Sequence, residues 1–275
     1  MTASRSSDRS AKRVRTYGSS GPLLLLLHGG PGAPGYLGTV ASELADSFRV
    51  LEPFQRGSGS ESLTVNRHVA DLHEMVSACR EKPLAMIGHS WGAMLALAYG
   101  AAHPDGVASL VLVGCGTFDR ASRNQMRTIE EQRMDDGLRR RLNGLAEEVP
   151  DRNERLRMLG NLLLPLYSYE PTVHELPVEV CDARAHDESW NDMVRLQEEG
   201  EYPAAFAAIK APVIMLHGAV DPHPGRLIFA SLRTHLPQLE YREWERCGHY
   251  PWLEKAAREE FFASMHQWLT RQGGR

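Results

Sequence analysis

A serine enclosed by two glycines is the first feature of the sequence that could do chemistry. Gly88-His89-Ser90-Trp91-Gly92 has the pattern G-x-S-x-G, between an apolar stretch that predicts a strand and one that predicts a helix. Glycines at both ends would let strand and helix approach closely, so the turn would hold the serine hydroxyl above the carboxyl end of the strand. We therefore predict that Ser90 is a nucleophile rather than only the N-cap of a buried helix.

A serine nucleophile needs a general base, usually histidine, and a carboxylate that orients the base. His249 is the candidate base, because a glycine before it and a proline two residues after it indicate a loop following the last predicted strand. Asp221 is the candidate acid, since it follows a predicted strand at 212–216 and so falls at the ligand-facing end of the sheet. Asp119, which follows an earlier predicted strand, is the alternative acid.

Two further histidines lie beside these residues in the sequence. His89 is adjacent to Ser90, but neighbouring side chains in such a turn point in different directions, so we interpret His89 as structural. His223 is two residues from Asp221 and could line the substrate pocket, although a turn residue is the simpler interpretation.

The segment His28-Gly29-Gly30-Pro31-Gly32 provides a candidate oxyanion hole. It follows the apolar run Leu23–Leu27, and its glycines would let the backbone approach a reacting carbonyl. We predict that the N–H groups of Trp91 and Gly30 donate to the oxyanion, with Gly29 as the less favoured second donor. Removing one such donor typically costs about 3 kcal/mol of transition-state stabilisation.

The same segment contains a G-x-G-x-x-G pattern at 30–35, and Glu52 follows at the distance of a ribose-binding acid. This pairing superficially matches a dinucleotide-binding fingerprint. Phosphate binding there uses N–H groups at the start of a helix, and Pro31 and Pro34 remove two of those donors. We therefore expect no bound cofactor.

Alternating strands and helices must position these residues. The pattern predicts strands at 13–17, 23–27, 48–51, 84–87, 110–113, 212–216 and 239–244, and helices at 66–80, 90–103, 225–236 and 256–269. This alternation indicates an α/β fold, a mostly parallel sheet with helices on both faces. Residues 116–210 are charged and helical, which predicts a helical cap inserted between strands of a core made of 1–115 and 211–275. Residues 1–20 would be a flexible tail or an edge strand.

Composition limits the partners and the location of the chain. A net charge of −4 and a pI near 6.3 argue against nucleic-acid binding, which usually needs a basic surface. Leu23–Leu27 and the other purely apolar runs are far shorter than the about 20 residues that a membrane span needs, so we expect no membrane partner. The four cysteines form no C-x-x-C pair, which predicts reduced thiols in a cytoplasmic protein and no metal site. A small molecule is the expected substrate, and the oligomeric state is left open.

Together, these motifs resemble the α/β-hydrolase superfamily and, within it, the proline-iminopeptidase-like branch. The resemblance covers roughly 22–115 and 211–275. The motifs that carry it are His28–Gly32, Gln55-Arg56-Gly57-Ser58-Gly59, Gly88–Gly92, Asp221 and His249. The sequence departs from the branch at Phe54, where an aspartate is usual, and at His89, where a glycine is more common.

True proline iminopeptidases resemble one another in cap glutamates that hold the free amine of the substrate. The predicted cap carries four glutamates near its end, at Glu188, Glu198, Glu199 and Glu201, and none of them can be aligned to that role. A run of charges is more often a solvated face.

The residues and the resemblance predict a cofactor-free serine hydrolase that cleaves an ester, amide or related acyl bond through an acyl-enzyme on Ser90. A proline-iminopeptidase-like aminopeptidase is one alternative. A C–C-bond hydrolase or haloperoxidase-like enzyme could use the same three residues. A non-catalytic small-molecule receptor on the same fold is the alternative from a different class.

Overall fold

The computed structural model describes residues 13–273, in which strands and helices alternate along the chain. The strands are β1 (Val14–Tyr17), β2 (Leu23–Leu27), β3 (Arg49–Pro53), β4 (Leu84–His89), β5 (Val107–Val113), β6 (Val213–Gly218) and β7 (Leu239–Trp244). The helices are α1 (Gly38–Leu44), α2 (Val65–Ala78), α3 (Trp91–Ala102), α4 (Arg120–Arg133), α5 (Asp136–Glu148), α6 (Arg152–Leu163), α7 (Ala183–Glu198), α8 (Gly225–Arg233) and α9 (Arg258–Gly273).

The strands form one sheet in the order β1-β3-β2-β4-β5-β6-β7, in which β1 is antiparallel to β3 and the other pairs are parallel. Apolar clusters cover both faces, one built around α2, α3 and α8 and the other around α1 and α9. The predicted α/β fold with a mostly parallel sheet is therefore confirmed. Since parallel strands end at one edge, the loops after β2, β4, β6 and β7 converge there.

Differences from the predicted elements are small and local. Helix α1 was not predicted, because seven residues are too few to show a helical period, although they bury Val40, Ala41 and Leu44. Strand β5 begins at Val107, three residues before the predicted start. Of the predicted tail or edge strand at 1–20, residues 14–17 pair with β3, and residues 1–12 lie outside the described part of the chain.

The segment 116–210, which we call the middle segment, carries α4 to α7 between β5 and β6. Its helices are mostly amphipathic; α4 and α5 each bury one residue and α6 buries none, whereas α7 buries five. Its role as a separate cap remains a prediction. Across residues 13–273, no helix combines the length and apolar character that crossing a membrane requires.

Candidate active site

The turn between β4 and α3 holds Ser90 in a strained backbone conformation. Ser90 has φ of 54° and ψ of −119°, and no other non-glycine residue in the described chain has a positive φ. A Cβ on Gly88 would lie 2.3 Å from the carbonyl oxygen of Gly92, and a Cβ on Gly92 would lie 2.2 Å from that of Leu27. Both glycines are therefore required for strand and helix to approach this closely. Strain of this kind is typical of functional sites.

The loops after β6 and β7 bring Asp221 and His249 together. His249 Nδ1 lies 2.6 Å from Asp221 Oδ2, and both residues are almost completely buried. Burial alone would raise the pKa of Asp221, but nearby imidazoles, foremost that of His249, hold it well below its usual value. Burial lowers the pKa of His249, opposed by the charge of Asp221. The pair is thus an ionised carboxylate beside a neutral imidazole, the state in which a histidine can accept a proton.

Two more histidines contact the same carboxylate. His223 donates to Asp221 Oδ1 from its backbone N–H and lies within 2.9 Å of the same oxygen through Nδ1. His217 Nε2 lies 3.3 Å from Asp221 Oδ2 and 2.9 Å from the carbonyl oxygen of His223. His223 is therefore more than the turn residue of the simpler interpretation, because its ring as well as its backbone contacts Asp221. Asp119, the alternative acid, instead caps α4 by accepting from Ser122.

Ser90 and His249 line one cavity of about 230 Å³. Among the described residues no hydrogen bond joins the Ser90 hydroxyl to His249, and such bonds are often long before substrate binds. His223, Gly30 and Tyr36 also face this cavity. The other lining residues come largely from the middle segment and are mainly apolar, with Leu156, Leu159, Leu163, Leu164, Leu176 and Val178 among them.

Candidate oxyanion donors flank Ser90, the candidate nucleophile. The N–H of Trp91 occupies the first position of α3, where backbone amides have no acceptor within the helix. Gly30 lines the cavity with φ of 45°. Gly29, the less favoured candidate, donates its N–H to the Tyr36 hydroxyl at 2.7 Å. That bond engages the Gly29 amide and leaves Gly30 as the candidate partner of Trp91.

Tyr36, which the sequence did not reveal, connects His89 to the segment His28–Gly32, which we call the oxyanion loop. The ring of His89 is buried between the Tyr36 hydroxyl, 2.7 Å from Nδ1, and the backbone carbonyl of His249, 3.0 Å from Nε2. Burial lowers the pKa of His89 well below its usual value, so the ring is neutral and carries one proton. A carbonyl only accepts, which places that proton on Nε2 and makes Tyr36 the donor to Nδ1. No local sequence signal reveals this series of hydrogen bonds, because the residues that form it are far apart in sequence.

Gln55 forms a second link between the oxyanion loop and the turn. Its side-chain amide donates to the carbonyl oxygen of His28 at 2.7 Å and accepts from the Trp91 indole at 2.8 Å. Its backbone N–H donates to His28 Nε2. The Gln-Arg-Gly motif is thus part of the scaffold that holds the site.

The G-x-G-x-x-G segment does not start a helix. Gly32 and Pro34 accept backbone hydrogen bonds from Asp182 and Glu179 of the middle segment. The buried Glu52 accepts from Tyr17 and lies beside Arg15 at the sheet edge. The acid that the dinucleotide interpretation would assign to a ribose is thus engaged within the protein, and the glycine segment contacts the middle segment instead of beginning a helix.

The four glutamates at the end of the predicted cap do not line the cavity. Glu188 accepts from the backbone N–H of Leu63 and from Arg184, and Glu199 pairs with Arg195. Glu198 and Glu201 are exposed. The interpretation of this run as a solvated face agrees with these positions.

Comparisons with known proteins give a consistent assignment. The sequence profile of the alpha/beta hydrolase family matches residues 24–263. A proline iminopeptidase of Lactobacillus helveticus is 26% identical over 92% of this chain and 91% of its own length. A pimeloyl-(acyl-carrier protein) methyl ester esterase of Chromobacterium violaceum is 26% identical over 94% of this chain and 98% of its own. An esterase structure from Thermogutta terrifontis shares the fold, with a TM-score of 0.63 at 20% identity, over 94% of this chain and 93% of that chain.

Proposed function

The chain belongs to the alpha/beta hydrolase family, in its proline-iminopeptidase-like branch, and we propose that it is a serine esterase acting on small esters with an apolar, uncharged acyl group. One observation carries the choice of substrate: of the residues that line the cavity beside Ser90, none is a carboxylate, and leucines of the middle segment form much of the wall. Apolar walls with a few convergent polar groups are typical of sites for small apolar ligands.

In the proposed reaction, Ser90 Oγ attacks the ester carbonyl while His249 Nε2 takes the hydroxyl proton. Asp221 accepts the Nδ1–H of His249, which fixes the ring and stabilises its charged form. The N–H groups of Trp91 and Gly30 hold the oxyanion of the tetrahedral intermediate. His249 then returns its proton to the departing alcohol, leaving an acyl-enzyme. The same base activates a water that releases the acid and restores Ser90.

An aminopeptidase is the second candidate, because proline iminopeptidases are among the similar proteins. Its substrate carries a free, charged amine next to the bond that breaks. Holding that amine in an apolar cavity requires a nearby negative charge, since an unpaired buried charge costs several kcal/mol. The lining offers histidine, asparagine and tyrosine groups and Arg157, whose guanidinium is paired with Glu154, so no lining residue supplies a negative charge for the amine. The cavity therefore favours esters over prolyl amides.

Fluorophosphonate labelling with mass-spectrometric site mapping tests the nucleophile. We expect modification of Ser90 and steady turnover of p-nitrophenyl butyrate. Ser90→Ala should lose both, with a fall of about 10⁶-fold in kcat and a nearly unchanged melting temperature. Ser77→Ala, on the exposed side of α2, is the matched control. Near-wild-type turnover by Ser90→Ala would refute the proposal, and well-folded protein without labelling would favour a receptor.

The choice between ester and amide is tested by comparing kcat/KM for p-nitrophenyl butyrate and for proline p-nitroanilide. We expect the ester to be preferred well beyond its greater intrinsic reactivity, which is measured with hydroxide alone. A preference for the prolyl amide would assign the chain to the aminopeptidases.

A further inference from the structure

Besides the imidazole of His249, which a serine hydrolase needs, Asp221 receives a second Nδ1 contact from the imidazole of His223. We propose that His223 is a positioning residue, which fixes the carboxylate of Asp221 and the ring of His249 and keeps His249 neutral. This inference rests on the proposed function, because it concerns the same reaction. It assigns a role to a side chain that faces the cavity without being part of the Ser90, Asp221 and His249 set.

The hydrogen atoms can be assigned from the partners. An ionised carboxylate only accepts, so each imidazole carries a proton on the Nδ1 that faces Asp221. Oδ2 receives the bond from His249, and Oδ1 receives the backbone and ring N–H groups of His223. Both oxygens are engaged, which prevents the carboxylate from rotating away from His249. Such partners orient the group on which the chemistry depends.

The rings of His223 and His249 also stack. Their centroids are 4.6 Å apart and their planes differ by 16°. Tyr167 packs its ring against the edge of both, and its carbonyl accepts the backbone N–H of His249 at 2.7 Å. The imidazole of His223 therefore closes one face of the His249 ring, and its removal would leave a void in which His249 could change rotamer.

The same contact has an electrostatic consequence. A second imidazole can itself become a cation, which an amide cannot, so it competes with His249 for the negative charge of Asp221 and disfavours the imidazolium of His249. Several elements contribute titratable or charged groups that face His249. His217 lies within β6, Asp221 follows β6, and His223 precedes α8. The others are His89 at the end of β4, Tyr167 of the middle segment with its partner Glu130, and Tyr250, which follows His249 in the sequence. Among these, His223 alone both shares Asp221 through Nδ1 and stacks on the ring.

Two substitutions separate the hydrogen bond from the second imidazole. His223→Asn retains an amide donor near the Nδ1 position, whereas His223→Ala removes donor and ring. We expect His223→Ala to lower kcat by about tenfold to 100-fold, by analogy with the loss of other orienting partners, with a smaller change in KM. His223→Asn should recover most of this loss. His235→Asn, at the far end of α8 and outside the cavity, is the matched control.

The decisive readout is the pH profile of kcat/KM on p-nitrophenyl butyrate. Activity requires neutral His249, so the acid limb follows its pKa. Without the second imidazole this pKa rises, and the acid limb of both variants should move to higher pH while that of His235→Asn stays in place. A role in packing alone would lower kcat at every pH without moving the limb.

Two outcomes overturn different statements. If wild-type protein fails to label at Ser90, the proposed function fails and the inference falls with it. If wild-type protein labels and turns over, and folded His223→Asn keeps the wild-type acid limb, the inference alone is wrong. His223→Asn retains the donor and a comparable size, so this test stands even where His223→Ala does not fold.

Discussion

At the scale of single residues, the site depends on hydrogen bonds that engage the backbone amide of Gly29 rather than that of its neighbour Gly30. The Gly29 amide is engaged by Tyr36, and the Tyr36 hydroxyl continues to His89 and from there to the backbone of His249. Each member of this buried chain is satisfied, and removing one would leave two polar groups without partners, at about 1–3 kcal/mol each. The oxyanion loop and the loop of the base are thereby held at a fixed distance.

The substitution Tyr36→Phe tests this series of hydrogen bonds. It leaves the Gly29 N–H and His89 Nδ1 without the hydroxyl, so the oxyanion loop should loosen and kcat should fall by about tenfold, less than the loss of an oxyanion donor itself. Thermal melting and steady-state kinetics measure both effects. Tyr99→Phe is the control, since the Tyr99 hydroxyl is buried without a partner among the described residues. Equal kinetics for the two variants would contradict the role of these hydrogen bonds in holding the oxyanion loop.

At the scale of elements, the start of α7 is joined to the loops that form the site. Asp182 caps α7 by accepting from the N–H of Ala185, and its other oxygen accepts from the N–H and hydroxyl of Ser58. Its own backbone N–H donates to the carbonyl of Gly32. A helix of the middle segment therefore shares one residue with the oxyanion loop and with the Gln-Arg-Gly loop.

Asp182→Ala should both destabilise the fold and lower activity. Loss of the cap costs about 1 kcal/mol, and loss of the bonds to Ser58 frees the loop beside the oxyanion hole, so kcat/KM should fall several-fold. Asp135→Ala removes an equivalent cap from α5, through the N–H of Leu138, without touching either loop. We expect similar melting temperatures for the two variants and reduced kcat/KM only for Asp182→Ala. A parallel loss in both would show that the cap acts through stability alone.

At the scale of the whole molecule, the edge of the sheet and the middle segment enclose the cavity. The sheet edge supplies the candidate catalytic residues, while α6 presents Leu156, Leu159 and Leu163 at helical spacing toward the space that the proposed function assigns to the acyl group. The chemistry and the choice of substrate are therefore assigned to different parts of the chain, as is common where function is added to a widely used fold.

Leu159→Phe should shorten the acyl chains that the enzyme accepts. The larger ring would fill part of the cavity, so kcat/KM for p-nitrophenyl octanoate should fall about tenfold or more relative to the acetate, in line with about 1–3 kcal/mol per methylene in a pocket. Leu142→Phe, on α5 and outside the cavity lining, is the control. An unchanged ratio of octanoate to acetate activity would show that α6 does not contact the acyl group.

The sequence by itself determined the elements whose pattern is local. The apolar run Leu23–Leu27 predicted a strand buried on both faces, and the glycines around Ser90 predicted a close approach of strand and helix. Their positions after predicted strands then suggested Asp221 and His249, whose Oδ2 and Nδ1 atoms lie 2.6 Å apart in the structure. The predicted strands and the mostly parallel sheet are confirmed because each depends on neighbours in sequence or on the shared edge of parallel strands. The catalytic roles of Asp221 and His249 stay predictions.

Only the tertiary structure decided which polar groups meet across the chain. That Gly29 is engaged by Tyr36, that His223 shares Asp221 with His249, and that Asp182 joins α7 to the oxyanion loop are contacts between loops from different strands and helices. The same holds for the four glutamates near the end of the predicted cap, which the sequence could not align to an amine-binding role and which lie outside the cavity lining. The physical reason is that a hydrogen bond depends on distances of a few tenths of an ångström, which packing sets and local sequence patterns do not encode.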